Sequence, residues 1–443
     1  MNDIQLSDHF TLSKLVKFTL PSIVMMIVTS LYCVVDGIFV ANFVGKTQFA
    51  SVNLIMPFLM MFGCLGIMLG TGGSALVAKT LGEGKKDEAH RTFSMLIYVL
   101  ILCGAVLSVV GFIFIEDIAV WLGAEGDMVE YCVTYAMFLL PVVGAYMLQN
   151  AFQALLVTAE RPKMGMAITI GAGVTNIFLD WLFIVVFGWG IKGAALASAM
   201  CQVVGGIVPL VYFALPNKSL LRLTKFHFNG KALLKAATNG SSELVTNVSM
   251  SLVIILYNLQ LMKYIGENGV AAFGVIMYIN YIFVCVFIGY AIGCAPIISY
   301  NFGAQNAKEL QNVHRKSIRI TAYSGILLTV VALLLSAPLA KIFVGFDSEL
   351  CNLTVHAFRL YILSFLFAGF NIYSSAFFTA LNNGLVSAGI SFSRTIIFEC
   401  GAVLLLPLIF GINGIWFSIG VAEVAAMALS VAMLVAFRKR YNY

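Results

Sequence analysis

Long apolar stretches alternate with short polar breaks along the whole chain. Twelve such stretches run near 14–40, 50–79, 92–115, 131–158, 164–187, 193–214, 232–262, 270–300, 318–343, 353–380, 386–409 and 414–437. Each holds about twenty apolar residues or more, enough for a helix rising 1.5 Å per residue to cross ~30 Å of hydrocarbon. A membrane β-barrel would show alternating segments of about ten residues instead. The pattern predicts an all-α integral membrane protein with twelve transmembrane helices.

The pattern is also written twice. At an offset of 221 residues, Phe43-Val44-Gly45 falls on Tyr264-Ile265-Gly266 and Leu81-Gly82 on Phe302-Gly303. Thr158-Ala159 falls on Thr379-Ala380, and Gly190-Ile191 on Gly411-Ile412. A parallel repeat of six spans implies two bundles related by an axis along the membrane normal, an architecture that transporters use. The expected division is a six-helix lobe over 1–215, a linker over 216–235 with room for a short surface helix, and a second lobe over 236–443.

Composition agrees with the pattern. Hydrophobic residues make up 61% of the chain and charged residues 10%, against about a quarter charged in soluble domains. The net charge of +6 follows topology and gives no reason to expect nucleic acid as a partner. With the N-terminus inside, twenty Lys and Arg fall on the cytoplasmic side, among them Lys14, Lys85, Arg161, Lys218, Arg315 and Arg440. Only Lys46, Lys192, Lys263 and Lys341 fall outside. The positive-inside rule then predicts cytoplasmic termini and a cytoplasmic linker. No signal-peptide cleavage is expected, because no basic region precedes the first, overlong apolar stretch. The nine cysteines are scattered without a CxxC pair, so neither a disulfide framework nor a structural metal site is expected.

Ionisable groups inside the hydrocarbon cost at least ~2.5–3.5 kcal/mol each on insertion scales and are functional candidates by default. The first half offers Asp36 on helix 1 and Asp180 on helix 5, with Asn176 one turn before Asp180. Asn150 on helix 4 and Ser198 on helix 6 are further polar positions. No Lys, Arg or His lies between Phe18 and Gly45 or between Met164 and Ile191. A buried carboxylate without a basic partner takes a proton or holds a cation, and an all-oxygen set suits a hard cation. The second half does not repeat the set: Asp36 maps to Tyr257, Asn176 to Ile397, Asp180 to Gly401 and Ser198 to Ile419. It carries Glu243, Arg359, Arg394, Glu399 and Glu423 in or near spans. Internal Glu–Arg pairing and substrate contact, chiefly by Glu243, are both open readings of these. Pro21 lies fifteen residues before Asp36 and can bend its helix.

Val35-Asp36-Gly37-Ile38-Phe39-Val40, Leu81-Gly82-x-Gly84, Asn176-x-x-Leu179-Asp180-x-x-Phe183-Ile184 and Pro296-x-x-Ser299-Tyr300-Asn301-Phe302-Gly303 together resemble the multidrug and toxic compound extrusion (MATE) transporters. The resemblance covers essentially the whole chain. It implies twelve helices in two six-helix lobes, and a first-lobe cation site formed by the positions matching Asp36, Asn150, Asn176, Asp180 and Ser198. It also implies a helix-1 bend at Pro21. Where the family often has Thr, this chain has Ser198, which keeps the oxygen. The helix-10 position used by some members matches Asn371 here, and Glu243 stands too early on helix 7 to match an acid there.

The expected function is secondary active efflux of amphipathic cationic organic compounds in exchange for Na⁺ or H⁺, by a monomer in the plasma membrane with no cofactor. The alternative is a lipid-linked sugar flippase of the same superfamily, although only two arginines lie within spans to meet a pyrophosphate. No P-loop, GxSxG or HExxH occurs, so no enzyme activity is expected.

Overall fold

The computed structural model describes residues 4–217, 219–345 and 347–443; Lys218, counted above for its charge, lies outside them. Twelve helices among the described residues are long and apolar enough to span a bilayer. In chain order they are α1 (Leu12–Phe43), α2 (Thr47–Gly82), α3 (Lys86–Trp121), α4 (Asp127–Thr158), α5 (Pro162–Val186) and α6 (Gly190–Ala214). The second set is α7 (Ser241–Tyr264), α8 (Glu267–Gly303), α9 (Ala307–Val344), α10 (Ser348–Ala380), α11 (Gly384–Phe410) and α12 (Ile412–Tyr441). They form two six-helix bundles, each with an apolar core drawn mainly from its own half. Leucines such as Leu102, Leu334 and Leu408 remain exposed on the outer surface, where lipid would cover them.

One span differs from the expectation. The seventh begins at Ser241, not near residue 232. Residues Gly230–Asn239 form a separate short helix ending at Gly240. The separation has a steric cause. A side chain at Gly240 would meet the carbonyl of Met68 on α2, and one at Gly72 would meet the carbonyl of Ala236. Backbones this close leave room for no Cβ, and glycine is also where a helix is most readily ended. The apolar run Ala232-Leu233-Leu234 is therefore linker helix rather than membrane span.

Glycines set the packing within the first bundle as well. Gly63, Gly66 and Gly70 on α2 lie against Tyr146, Met147 and Ala151 on α4, an approach of small residues typical of membrane helices. Pro141 interrupts α4 with a turn of 3₁₀-helix at Leu140–Val142. Ser108 Oγ donates to the Leu140 carbonyl at 2.5 Å. Within one residue of the repeat-equivalent stretch of α10, Ile362–Ser364 is 3₁₀ too, although it has no proline. α1 stays helical through Pro21, so the expected bend is not seen as a break in this structure.

The bundles meet on the linker side. A Cβ at Gly82 would strike the Tyr300 carbonyl, and one at Gly303 would strike the Lys79 carbonyl. Lys79 and Tyr300 are repeat-equivalent, as are Gly82 and Gly303. A second related pair recurs deeper in: Gly72 against Gly240, and Gly293 against Thr19. These reciprocal contacts are what a two-fold axis between parallel repeats produces.

Candidate functional site

Asp36 sits seven residues from the end of α1 that lies away from the linker. Asp180 sits six residues from the corresponding end of α5. Helices of the two-bundle fold run up and down, so these positions share one depth. The structure brings Asp36 together with Asp180, Asn176 and Ser198. Asp180 is 0% exposed, Asn176 2% and Ser198 7%. Immediately after Asp180 the helix widens into a π-helical turn, Trp181–Val186. Such widened turns re-aim side chains and recur at functional sites.

A fifth group joins them that the sequence reading missed. Tyr135 on α4 is fully buried, its phenol lies beside Ser198, and both aspartates act on it. Its only signal in the sequence is position: eight residues into α4, it falls at the depth of Asp36. Asn150 is not part of the group. It lies fifteen residues beyond Tyr135 on the same helix, roughly 22 Å at 1.5 Å per residue, and its amide donates to the Tyr146 carbonyl at 2.9 Å. The expectation that it joins the two aspartates is therefore not met in this conformation.

The polar atoms of the group are poorly satisfied. Both oxygens of Asp180, Oδ1 of Asp36, Oδ1 of Asn176 and the Tyr135 hydroxyl are buried without a hydrogen bond of ordinary geometry. The four side chains around Asp36 face one another without closing a network. No ion pair reaches either aspartate among the described residues. Leaving buried acceptors unmatched costs about 1–3 kcal/mol each, more for charged groups. A proton or small cation among them would supply the missing partner. Asp36, Asn176, Ser198 and Tyr135 also line a cavity of about 90 Å³ that continues past Tyr32 and Met60.

The second bundle handles its charges differently. Arg394 binds Glu423 through Nε at 2.9 Å and a terminal nitrogen at 2.5 Å. Asn371 donates to the other Glu423 oxygen at 2.7 Å and to its backbone carbonyl at 2.9 Å, and Ser430 holds Asn371 Oδ1 at 3.1 Å. Arg394 and Glu399 both lie on a second π-helical stretch, Ser393–Glu399. Glu243, in the first turn of α7, and Glu399 lie within the field of the same guanidinium. His356 is an exposed partner of Asn413 at 2.9 Å. Arg359 reaches Ser336.

Twelve helices in two bundles among the described residues, with an ionisable cavity inside one of them, form the architecture of a membrane transporter. The MatE family model matches residues 21–182 and 244–404, once in each bundle. The chain belongs to that family. It is 23% identical over 431 residues to the multidrug export protein MepA of Staphylococcus haemolyticus, covering 96% of this chain and 94% of that one. To the MepA protein of Staphylococcus saprophyticus it is 24% identical over 450 residues, covering 98% and 95%. Among solved structures, a MATE in complex with MaL6 superposes with a TM-score of 0.92 at 22% identity, over 100% of this chain and 98% of that one. A transporter of the MOP superfamily from Pyrococcus furiosus, described as having a binding pocket of reverse polarity, gives 0.90 at 23% identity over the same shares. At this identity the structural matches speak for the fold.

Proposed function

We propose that the protein is a multidrug efflux transporter of the plasma membrane, exporting amphipathic organic cations in exchange for Na⁺ or H⁺. Both termini and the linker face the cytoplasm, following the basic residues, and the protein works as a monomer. One observation carries the reading: a buried Asp180 and a half-buried Asp36 face each other in the first bundle, with no basic residue to neutralise them. The coupling ion binds among Asp36, Asn176, Asp180 and Ser198, with Tyr135 as a further oxygen. Asn150 stands apart from this set in the structure, where its amide donates to the Tyr146 carbonyl.

Magnitudes support coupling at this place. Neutralising one carboxylate at membrane depth is worth at least ~2.5–3.5 kcal/mol, and a single monovalent ion neutralises one charge. Moving a two-state equilibrium from 1:99 to 99:1 takes about 5.5 kcal/mol of differential affinity. Binding one ion here thus supplies about half of that difference or more, enough to bias strongly which face of the protein is open. It does so only if the two access states bind the ion unequally. Pro21 leaves the Lys17 carbonyl without its helical donor, a weak point at which α1 can bend as the ion leaves. Glu243, half-buried at the start of α7, is the second-bundle acid assigned to the substrate's cationic group.

Counterflow in proteoliposomes tests the reading, with Na⁺ and pH gradients imposed separately against a panel of organic cations. Substrate movement driven by one of the gradients is the expected result. Movement indifferent to both sinks it.

A further inference from the structure

The segment ahead of α1 is not helical, yet packing and hydrogen bonds hold it against both bundles. Leu6 and Phe10 are both 0% exposed. They enter a cluster that includes Val157 from α4 and Tyr290, Ile297 and Phe377 from α8 and α10. The Leu6 N–H donates to Glu160 in the α4–α5 turn at 2.6 Å. The Phe10 N–H donates to Glu309 Oε1 at 2.9 Å, and His9 Nδ1 lies 2.7 Å from Glu309 Oε2. The Phe10 carbonyl accepts from Asn312 at 3.0 Å and from the Lys316 ammonium at 2.5 Å. Asn312 also donates to Glu309 Oε1 at 2.8 Å. The segment is braced internally, since Asp8 binds the Gln5 N–H at 2.9 Å and Lys14 at 2.8 Å. Partial burial works against the Asp8 carboxylate, but Lys14 and the Gln5 N–H hold its pKa below the ordinary value.

The topology of these bonds gives them a consequence. The segment is tied to both bundles: one end continues into α1, and Leu6 is fixed at Glu160 of the first bundle while its carbonyl accepts from Asn301 on α8 of the second at 3.5 Å. Its middle, His9 and Phe10, is fixed to α9 of the second bundle. Six residues separate Leu6 from Leu12, at most about 22 Å of fully extended chain, and that chain is folded back on itself. To follow α9 if the bundles part on this side, the segment would have to pull out the turn that Asp8 braces.

We propose that residues 4–11 form a clasp between the two bundles on the linker side, with Glu309 as the catch that positions it, and that the clasp releases at Glu309 before that side opens. The proposal rests on the reading that the bundles move against each other during transport. The closed contacts at Gly82 and Gly303 and the clasp then act in parallel. Glu309 never touches substrate or ion; it sets how often the linker side opens.

Hydrogen-exchange mass spectrometry on the full-length protein in lipid nanodiscs tests this. Two variants are compared with the unaltered protein: Glu309→Ala, and Leu6→Ala combined with Phe10→Ala. Both are expected to speed exchange several-fold in peptides covering 75–85 and 296–306, where the bundles meet. Glu309→Gln keeps an acceptor for the Phe10 N–H and is expected to restore most of the protection. Faster exchange confined to residues 4–12 and the start of α9 would mean that the segment is only a local packing element, and would overturn the proposal. If Glu309→Ala does not reach the membrane, Asn312→Ala with Lys316→Ala weakens the same catch from partly exposed positions. Counterflow by the unaltered protein is measured alongside. An exchange response in a protein that moves no substrate keeps the clasp and discards the efflux reading.

Discussion

The two bundles share a shape and differ in how they treat buried charge. In the first, Asp36 and Asp180 face each other with oxygens unmatched and no base in reach. In the second, the position equivalent to Asp36 is Tyr257, whose hydroxyl is 2.7 Å from Ser418 and whose ring stacks on Phe273. The acid that the second bundle does bury deeply, Glu423, is closed by Arg394 and Asn371. Asn371 is the repeat equivalent of Asn150, and Glu423 of Gln202. One bundle therefore closes its buried acid with a basic side chain, while the other offers its acids none among the described residues. Duplication supplied the frame twice, and electrostatics divided the work.

The comparison breaks most readily at the aspartates. Asp180→Asn and Asp36→Asn are each expected to reduce gradient-driven efflux to the level of empty vesicles while the protein still inserts and folds. Full ion dependence in both variants, measured by substrate flux under an imposed gradient, would erase the distinction between the bundles.

In the second bundle the expected loss is one of stability. Glu423→Ala leaves the half-buried Arg394 without its hydrogen-bonded partner. Because Glu399 and Glu243 stay within its field, the expected cost lies at or below the low end of the range of about 3–5 kcal/mol for fully buried pairs. Replacing both by apolar residues of similar volume is expected to recover most of that stability. Thermal unfolding in detergent reads both. A Glu423→Ala protein as stable as the original would mean that the pair is not the internal neutralisation argued here.

Contacts at the axis come next. Gly82→Ala and Gly303→Ala each drive a methyl group into a carbonyl of the other bundle. Overpacking of this kind typically costs about 1–3 kcal/mol. Because the strain is relieved when the linker side opens, both variants are expected to favour that state, with equal exchange increases at 79–82 and 300–303. Unequal responses would show that the pseudo-symmetry ends at the backbone.

The smallest effects sharpen the site's outline. Ser198→Ala and Tyr135→Phe each remove one hydroxyl from a group that keeps both acids. Each is expected to weaken ion dependence by about tenfold or less, in line with about 0.5–1.5 kcal/mol for a typical hydrogen bond. Asn150→Ala is expected to leave the ion affinity of this conformation unchanged. Sodium-dependent or pH-dependent tryptophan fluorescence titration would read all three.

Much of this was legible in the sequence, for physical reasons. Span length and hydropathy locate twelve helices because lipid tolerates nothing shorter or more polar. Asp36 and Asp180 stand out because charge in hydrocarbon is rare. The start of α7 was not legible: Ala232-Leu233-Leu234 is as apolar as a span, and only the approach of Gly72 to Gly240 shows why the helix must end between them. Tyr135 looks like any aromatic residue in a span until its depth is compared with that of Asp36. Asn150 was misjudged for the opposite reason, because its residue type fits the chemistry while its place near the linker end of α4 does not. Which acids of the second bundle pair with Arg394 depended on a π-helical stretch that no periodicity announces.

The crossing of Gly82 and Gly303 has a further consequence. Each glycine touches the carbonyl three residues before the other, so residue i meets j and j meets i. That reciprocity defines an isologous interface, the kind found in symmetric dimers. Here it persists inside a single chain, which marks the fused protein as a dimer whose seam is still present. The interiors of the two halves differ, one carrying unpaired acids that the other lacks at the equivalent positions. The seam has no such freedom to differ, because a side chain added on either side must be accommodated by both.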